Sequence, residues 1–259
     1  MNIFKIVFLC VVFVAGSAFT PGQLTFEKIQ QKIPRVNMAY ERKEQYIKMK
    51  CQKAGIPEET FGNMFIRAFK AEAIMEIWVE KPDGNYAKLD EFNIYAESGK
   101  LGPKRMQGDC QVPEGYYYIN DFNPNSNYYL SLGINYPNES DMKLSTAANK
   151  GGMIYIHGKQ ASAGCLAMSD YYVEDIYICA VKARNYGQHK IPVQIFPFKP
   201  TEENFALFNQ YVDCAPFNKL WRNMAQGYNL FEKTHHLPKV SVGADGFYQF
   251  SDTEVAAAK

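Results

Sequence analysis

The sequence predicts an α+β protein. Strand signals crowd the middle of the chain, helical spacing marks both ends, and clusters of Gly, Pro and Asn punctuate the segments between. The 259 residues are 47% hydrophobic and include 18 Tyr and 18 Phe, ample material for a sizeable core. A formal net charge of +1, with no dense Lys/Arg run, argues against nucleic acid or an anionic membrane as a partner recruited by charge.

The elements follow in order. Lys5 precedes an apolar stretch over residues 6–15, and Gly16-Ser17-Ala18 follows it. A basic start, a short apolar run and small residues predict a secretory signal peptide over 1–18, cut after Ala18. The run is short of the roughly 20 residues that a spanning helix needs. Cys10 is preceded by Phe8-Leu9 rather than by small residues, which argues against a lipid anchor. The mature protein is therefore expected to be exported to the periplasm or cell envelope without stable membrane insertion.

Residues 19–64 read as an N-terminal helical segment, with Met38, Ala39, Tyr46, Ile47 and Met49 at helical spacing and a break at Gly55-Ile56-Pro57. Residues 76–80 alternate as a strand, and Pro82-Asp83-Gly84-Asn85 turns it into a hairpin. The Gly-, Pro- and Lys-rich stretch 98–115 is a loop, followed by an aromatic strand over 116–120. Asn123-Pro124-Asn125-Ser126-Asn127 predicts a turn before a strand over 128–132. Met153-Ile154-Tyr155-Ile156 is a buried strand that runs into His157-Gly158. Asp170 is a candidate N-cap for a helix over 171–186, stopped at Gly187. A strand over 191–198 closes a central region of 65–200. The remaining residues, 201–259, form a helical extension: a helix over 202–226 broken at Ala215-Pro216, then short strand-like pieces near Val240 and Phe247.

Chemistry concentrates between His157 and Cys165. In extended chain the two would lie about 27 Å apart, so they meet only if the segment folds back. Gly158 and Gly164 suit such a reversal, because glycine accepts positive φ. Together they make a nucleophile and its base: imidazole takes the thiol proton, and the thiolate attacks. Backbone amides at Gly164 and Cys165 could then hold an oxyanion. A backbone carbonyl is the candidate to orient the imidazole, since no Asp or Asn stands at a suitable spacing. An activated Cys165 should titrate below an ordinary thiol.

Cysteine count supports the same assignment. Without Cys10 the exported chain keeps Cys51, Cys110, Cys165, Cys179 and Cys214, an odd number, so at least one thiol stays unpaired in the monomer. Spacing leaves the pairing of the other four open. No Cys-x-x-Cys or His-Glu-x-x-His occurs, and His235-His236 alone makes a poor metal site, so neither metal nor cofactor is expected. A papain-like enzyme places Cys before His, and a sortase places His far upstream. The order and eight-residue gap here fit neither.

The run His157-Gly158 followed by Ser162-Ala163-Gly164-Cys165 resembles the signature of the L,D-transpeptidase (YkuD-type) catalytic-domain family, in its YafK-like branch. Leu101-Gly102-Pro103-Lys104, Gln107-Gly108-Asp109 and Pro113-Glu114-Gly115-Tyr116-Tyr117 resemble that branch's first block. Residues 192–198, Gly227-Tyr228, Phe231-Glu232 and Val240-Ser241-Val242 resemble its later blocks. The resemblance implies a curved, mostly β catalytic domain over 65–200 with added helices at both ends. It also implies a Cys165 thioester formed on peptidoglycan stem peptides, classically at a diaminopimelate-type residue. The acyl group then passes to an amine, as in a transpeptidase, or to water. The hydrolytic outcome would be an L,D-carboxypeptidase, or release of a wall-linked envelope lipoprotein. The chain departs from many members at Ala163, where a second His is common, and at Ala167, where Arg or Asn is common. Lys104 and Arg105 are candidates for the missing charge, and Ser162, Tyr128 and Tyr136 for further substrate contacts. A non-catalytic peptidoglycan-binding module is the rival reading.

Overall fold

The computed structural model describes residues 25–57 and 61–251, so the segment expected to be a signal peptide lies outside the described residues. Two helices open the described chain, α1 (Phe26–Gln31) and α2 (Pro34–Ala54). Pro34 begins α2, where its missing N–H costs nothing, and Gly55 ends it in the left-handed region at φ 68°. Strands β1 (Met64–Phe69), β2 (Ile74–Glu80) and β3 (Tyr86–Asn93) form a meander. Then come β4 (Gly115–Ser126), β5 (Tyr129–Ile134), α3 (Glu139–Leu144), β6 (Tyr155–His157), β7 (Leu166–Ala167), α4 (Ser169–Asn185) and β8 (Pro192–Phe196).

These strands make one eight-stranded sheet in the order β3-β2-β1-β8-β4-β5-β6-β7, parallel only at β1/β8 and β6/β7. Helix α4 carries a wholly buried run that includes Val173, Ile176, Ala180 and Val181, and it packs with Val36, Ala39 and Ile47 of α2 onto the sheet. The N-terminal helices therefore share the sheet's core. A buried Lys43–Asp175 pair, 2.7 Å apart, joins α2 to α4. No helix among the described residues is long and apolar enough to cross a membrane.

The chain ends in α5 (Glu202–Phe208), a 3-10 turn, α6 (Asn218–Thr234) and a hairpin of β9 (Lys239–Val242) and β10 (Tyr248–Ser251). Leu220 and Met224 of α6 pack on Phe69, Phe196 and Tyr248. Helix α6 passes straight through Gly227, beyond the expected end near residue 226. A Cβ there would lie 2.3 Å from the Phe250 ring and 2.5 Å from Tyr116 Oη, so the glycine is a packing requirement. Helix α3 had no counterpart in the sequence reading. Its signal is a capping box, in which the Asn138 side chain accepts from Asp141 N–H and Asp141 accepts from Asn138 N–H.

Two local expectations are corrected. The Asn123–Asn127 segment is not a turn, because β4 stays extended to Ser126 and the chain reverses at Asn127-Tyr128. The ladder skips irregularly between Asn123 and Ser126, which accommodates Pro124 in the strand. Arg35 of α2 then donates to the carbonyls of Ser126 and Tyr129 at 2.8 and 2.9 Å, holding the reversal from outside. Asp170 is not the N-cap of α4, since the helix begins at Ser169 and Asp170 accepts instead from the Lys159 amide at 2.7 Å.

Candidate active site

Strand β6 is three residues long, and alternation decides what it offers. Ile156 enters the core, while Tyr155 and His157 face the other way. His157 Nδ1 lies 2.5 Å from the Gly158 carbonyl oxygen. A carbonyl only accepts, so Nδ1 carries the proton and Nε2 is left with a lone pair. The Tyr128 ring lies over the imidazole with centroids 4.8 Å apart. Burial lowers the His157 pKa from its ordinary value and outweighs the bond to Gly158, which favours the charged form.

Cys165 reaches the same place from the returning chain, because β7 pairs in parallel with β6, Leu166 beside Ile156. Its Sγ accepts from the Tyr155 amide at 3.4 Å and lies 3.7 Å from the Met153 carbonyl. His157 and Cys165 line one cavity of about 280 Å³ with Tyr128, Ser131 and Tyr155. Larger clefts of about 510 and 570 Å³ lie elsewhere and hold neither residue. Burial pushes the Cys165 thiol up, against the Tyr155 amide and the more distant Lys104 charge. The resting thiol is thus harder to ionise than an ordinary one, the opposite of the sequence expectation.

The two glycines serve different ends. Gly164 sits at φ +108°, and a Cβ there would also lie 2.9 Å from the Gln111 carbonyl. Gly158 does not use positive φ. The reversal is made at Lys159, φ 57°, while a Cβ on Gly158 would sit 2.5 Å from Asp170 Oδ1. Cys165 leads into β7, which stands between it and α4.

The Gly164 amide is already engaged. It donates to Ser98 Oγ at 2.7 Å, which in turn lies 2.7 Å from the Cys110 carbonyl and 3.1 Å from Ser162 Oγ. Ser162 Oγ donates to the Cys165 carbonyl at 2.7 Å, so it holds the backbone of Cys165 itself. This removes Gly164 N–H as an oxyanion donor. The Cys165 N–H makes no hydrogen bond among the described residues. Ser98 lies 67 positions before Cys165, and no local motif marks it.

The other candidate contacts lie off the cavity wall. Lys104 is buried, with Nζ on Asp109 Oδ1 at 2.6 Å and on the Met106 carbonyl. Arg105 pairs with Asp141 at 3.0 Å. Tyr136 is buried and donates to the Lys150 carbonyl. All three brace the 98–115 loop or its neighbours, and of the five candidates only Tyr128 lines the cavity. Cys110, Cys165, Cys179 and Cys214 form no disulfide.

Residues 76–195 match the family described as the L,D-transpeptidase catalytic domain, YkuD. The chain is also 34% identical over 181 residues, 69% of its length and 70% of the relative's, to YafK of Escherichia coli strain K12, whose name assigns it provisionally to the L,D-transpeptidases. The chain belongs to the L,D-transpeptidase catalytic-domain family. The O157:H7 version of YafK matches to the same extent, 34% over 181 residues. Among solved structures, the helical cell shape determining protein Pgp2 from Campylobacter jejuni aligns with a TM-score of 0.43 at 17% identity, covering 76% of this chain and 80% of that one. Bd1075 of Bdellovibrio bacteriovorus aligns at 0.41 and 18% identity, covering 71% and 78%. Of the departures from many L,D-transpeptidases, Ala167 is wholly buried in β7, with its amide on the Ala96 carbonyl at 3.1 Å.

Proposed function

We propose that this L,D-transpeptidase-family chain is an exported enzyme that transfers acyl groups of peptidoglycan stem peptides through a Cys165 thioester. The observation that carries the reading is the Gly158 carbonyl on His157 Nδ1, which leaves Nε2 as a base on a residue that lines one cavity with Cys165. In the first step the Sγ–H proton passes to Nε2 and Sγ bonds to the carbonyl carbon on the L-centre side of the scissile bond. The Cys165 N–H is the donor available to the oxyanion. Collapse breaks the C–N bond, and imidazolium returns its proton to the leaving amine. An acceptor amine then attacks the thioester, losing its proton to Nε2, and the thiol is regenerated.

Hydrolysis through the same thioester is the second reading, with water in place of the amine. Ala163 and the buried Ala167 favour it, because neither supplies a polar side chain to hold an acceptor. Released products would then be shortened stems or an envelope protein freed from the wall. Residues 1–18 support export by composition.

The test is product analysis by mass spectrometry, with wild type and Cys165→Ala on tetrapeptide muropeptides, with and without an acceptor amine, and on intact sacculi. Cross-linked or amine-exchanged products that need Cys165 are expected. Cys165-dependent shortened stems or released protein alone would assign hydrolysis. No Cys165-dependent product would leave a binding module.

A further inference from the structure

The cleft of about 570 Å³ holds neither His157 nor Cys165, and its walls carry hydrogen-bonding groups that the fold leaves unused. Its floor belongs to the large sheet. Gln194 of β8 stands in register between Arg67 of β1 and Tyr116 of β4. Val193 and Ile195 enter the core that α4 covers, so alternation turns Gln194 to the opposite face. Gln194 is 3% exposed and lines the cleft, yet its side-chain amide makes no hydrogen bond among the described residues. A buried amide without partners is costly. Asn135, also on the wall, accepts from the Tyr118 amide through Oδ1 at 2.7 Å. Its own NH2 has no partner among the described residues.

Another wall is a bare strand edge. Strand β9 pairs with β10 alone, and the ladder decides which of its groups point outward. Tyr248 of β10 donates its N–H to Asn223 Oδ1 and accepts from Asn223 Nδ2 on its carbonyl, both at 2.8 Å. It therefore shares no ladder bond with its partner Val242, whereas Gly243 N–H reaches the Phe247 carbonyl one position on. Bonded and non-bonded pairs alternate in an antiparallel ladder, so Val242 and Val240 both turn N–H and C=O away from β10. Val240, Ser241 and Val242 all border the cleft, and consecutive residues of a strand do so through its edge rather than one face. Four outward backbone groups thus stand there without a partner among the described residues. Such an edge is a template for another chain.

We propose that this cleft binds an extended polypeptide segment of another protein, laid along β9 as a third strand of the terminal hairpin. One edge of the segment bonds to the N–H and C=O groups of Val240 and Val242. Its other edge offers main-chain groups to the Gln194 and Asn135 amides. Apolar side chains of the segment pack on Tyr118 and Pro192, which are cross-strand neighbours in the floor. Acidic side chains meet Lys190, which is exposed on the rim with Nζ 4.9 Å from the Tyr118 ring centre and has no carboxylate partner among the described residues. The segment is therefore one in which apolar and acidic residues alternate. Binding here goes beyond acyl transfer and does not need Cys165.

The probe is a blocked heptapeptide of alternating Val and Glu, titrated into isotope-labelled protein while NMR follows the Val240 and Val242 amides. Saturable shifts of both are expected, and Cys165→Ala should give the same curve. Val240→Pro removes one outward N–H and spares the bonds to β10, so it should weaken binding about tenfold. Lys190→Gln should weaken it about threefold, and should have no effect on a Val/Gln heptapeptide. Circular dichroism checks that each variant is folded. No shift at the two amides up to millimolar peptide, or equal binding by Val240→Pro, would overturn the proposal. So would shifts produced by an N-acetylglucosamine oligosaccharide and not by the peptide, which would make the cleft a glycan site. Shifts that follow protein concentration without peptide would assign the edge to a second copy of this chain and overturn it as well.

Discussion

At the residue scale, burial favours the neutral form of both partners of the proposed catalytic pair. The His157 pKa is lowered from its ordinary 6.5 and the Cys165 thiol is raised, each because its ion is poorly solvated. In the proposed mechanism, charge appears only when the proton crosses from sulfur to Nε2 and a substrate carbonyl is present to use it. The pH dependence follows with a definite sign. A base with a depressed pKa stays active to lower pH, so kcat/KM should fall about tenfold per unit only below a midpoint under 6.5. A pH–rate profile on a muropeptide checks this, and an acid limb centred above 6.5 would contradict it. Much of this residue scale was legible in the sequence, because His157, Gly158, Gly164 and Cys165 fall within nine positions. Ser98 was not, since its bond to the Gly164 amide spans 66 positions and its own surroundings look like any loop.

At the element scale, the N-terminal helix α2 and the tip of the β4–β5 hairpin act on each other. Arg35 satisfies two carbonyls on either side of the reversal that presents Tyr128 to the His157 ring. Arg42 adds bonds to Tyr129 Oη and Glu174. Arg35→Ala should leave both carbonyls short of a donor, costing about 1–2 kcal/mol in urea unfolding. It should also lower kcat/KM about tenfold, because the Tyr128 ring loses its placement. Unchanged kinetics would detach the helix from the site. The misplaced turn at Asn123–Asn127 has the same origin. Local chemistry favoured a reversal there, and a contact 91 residues away settled where the chain turns.

At the scale of the whole molecule, the 98–115 loop is held by buried charge. Lys70 Nζ donates to the carbonyls of Lys100, Gly102 and Val112 and to Glu114 Oε1 at 2.8 Å, while Glu114 Oε2 accepts from Trp221 at 2.7 Å. Glu97 stands near this pair, its Oε2 buried without a hydrogen-bond partner, and burial raises its pKa from 4.5 to about 7. The folded state therefore holds this proton more tightly than the unfolded chain does. Stability declines as pH rises from about 4.5 to about 7 and is flat with respect to this group above that. Glu97→Gln should accordingly add about 1–2 kcal/mol at pH 8, after allowing for partial screening, and almost nothing at pH 4. Denaturant titrations at both values decide it, and an equal effect at the two would contradict the assignment.

The sequence by itself determined the α+β class, the break of the N-terminal helical segment at Gly55 and the hairpin at Pro82-Asp83-Gly84-Asn85, and it set His157 and Cys165 within nine positions of each other. Each of these rests on spacing or on backbone preference within about twenty residues. Only the tertiary structure decided which groups remain available. It committed Gly164 N–H to Ser98, turned Lys104 and Arg105 onto Asp109 and Asp141, and left the Ser131 hydroxyl without a hydrogen-bond partner among the described residues in the cavity that Cys165 lines. Whether a polar group is engaged depends on strands brought together across the sheet, and residue type records what a side chain can donate or accept, never what stands opposite it.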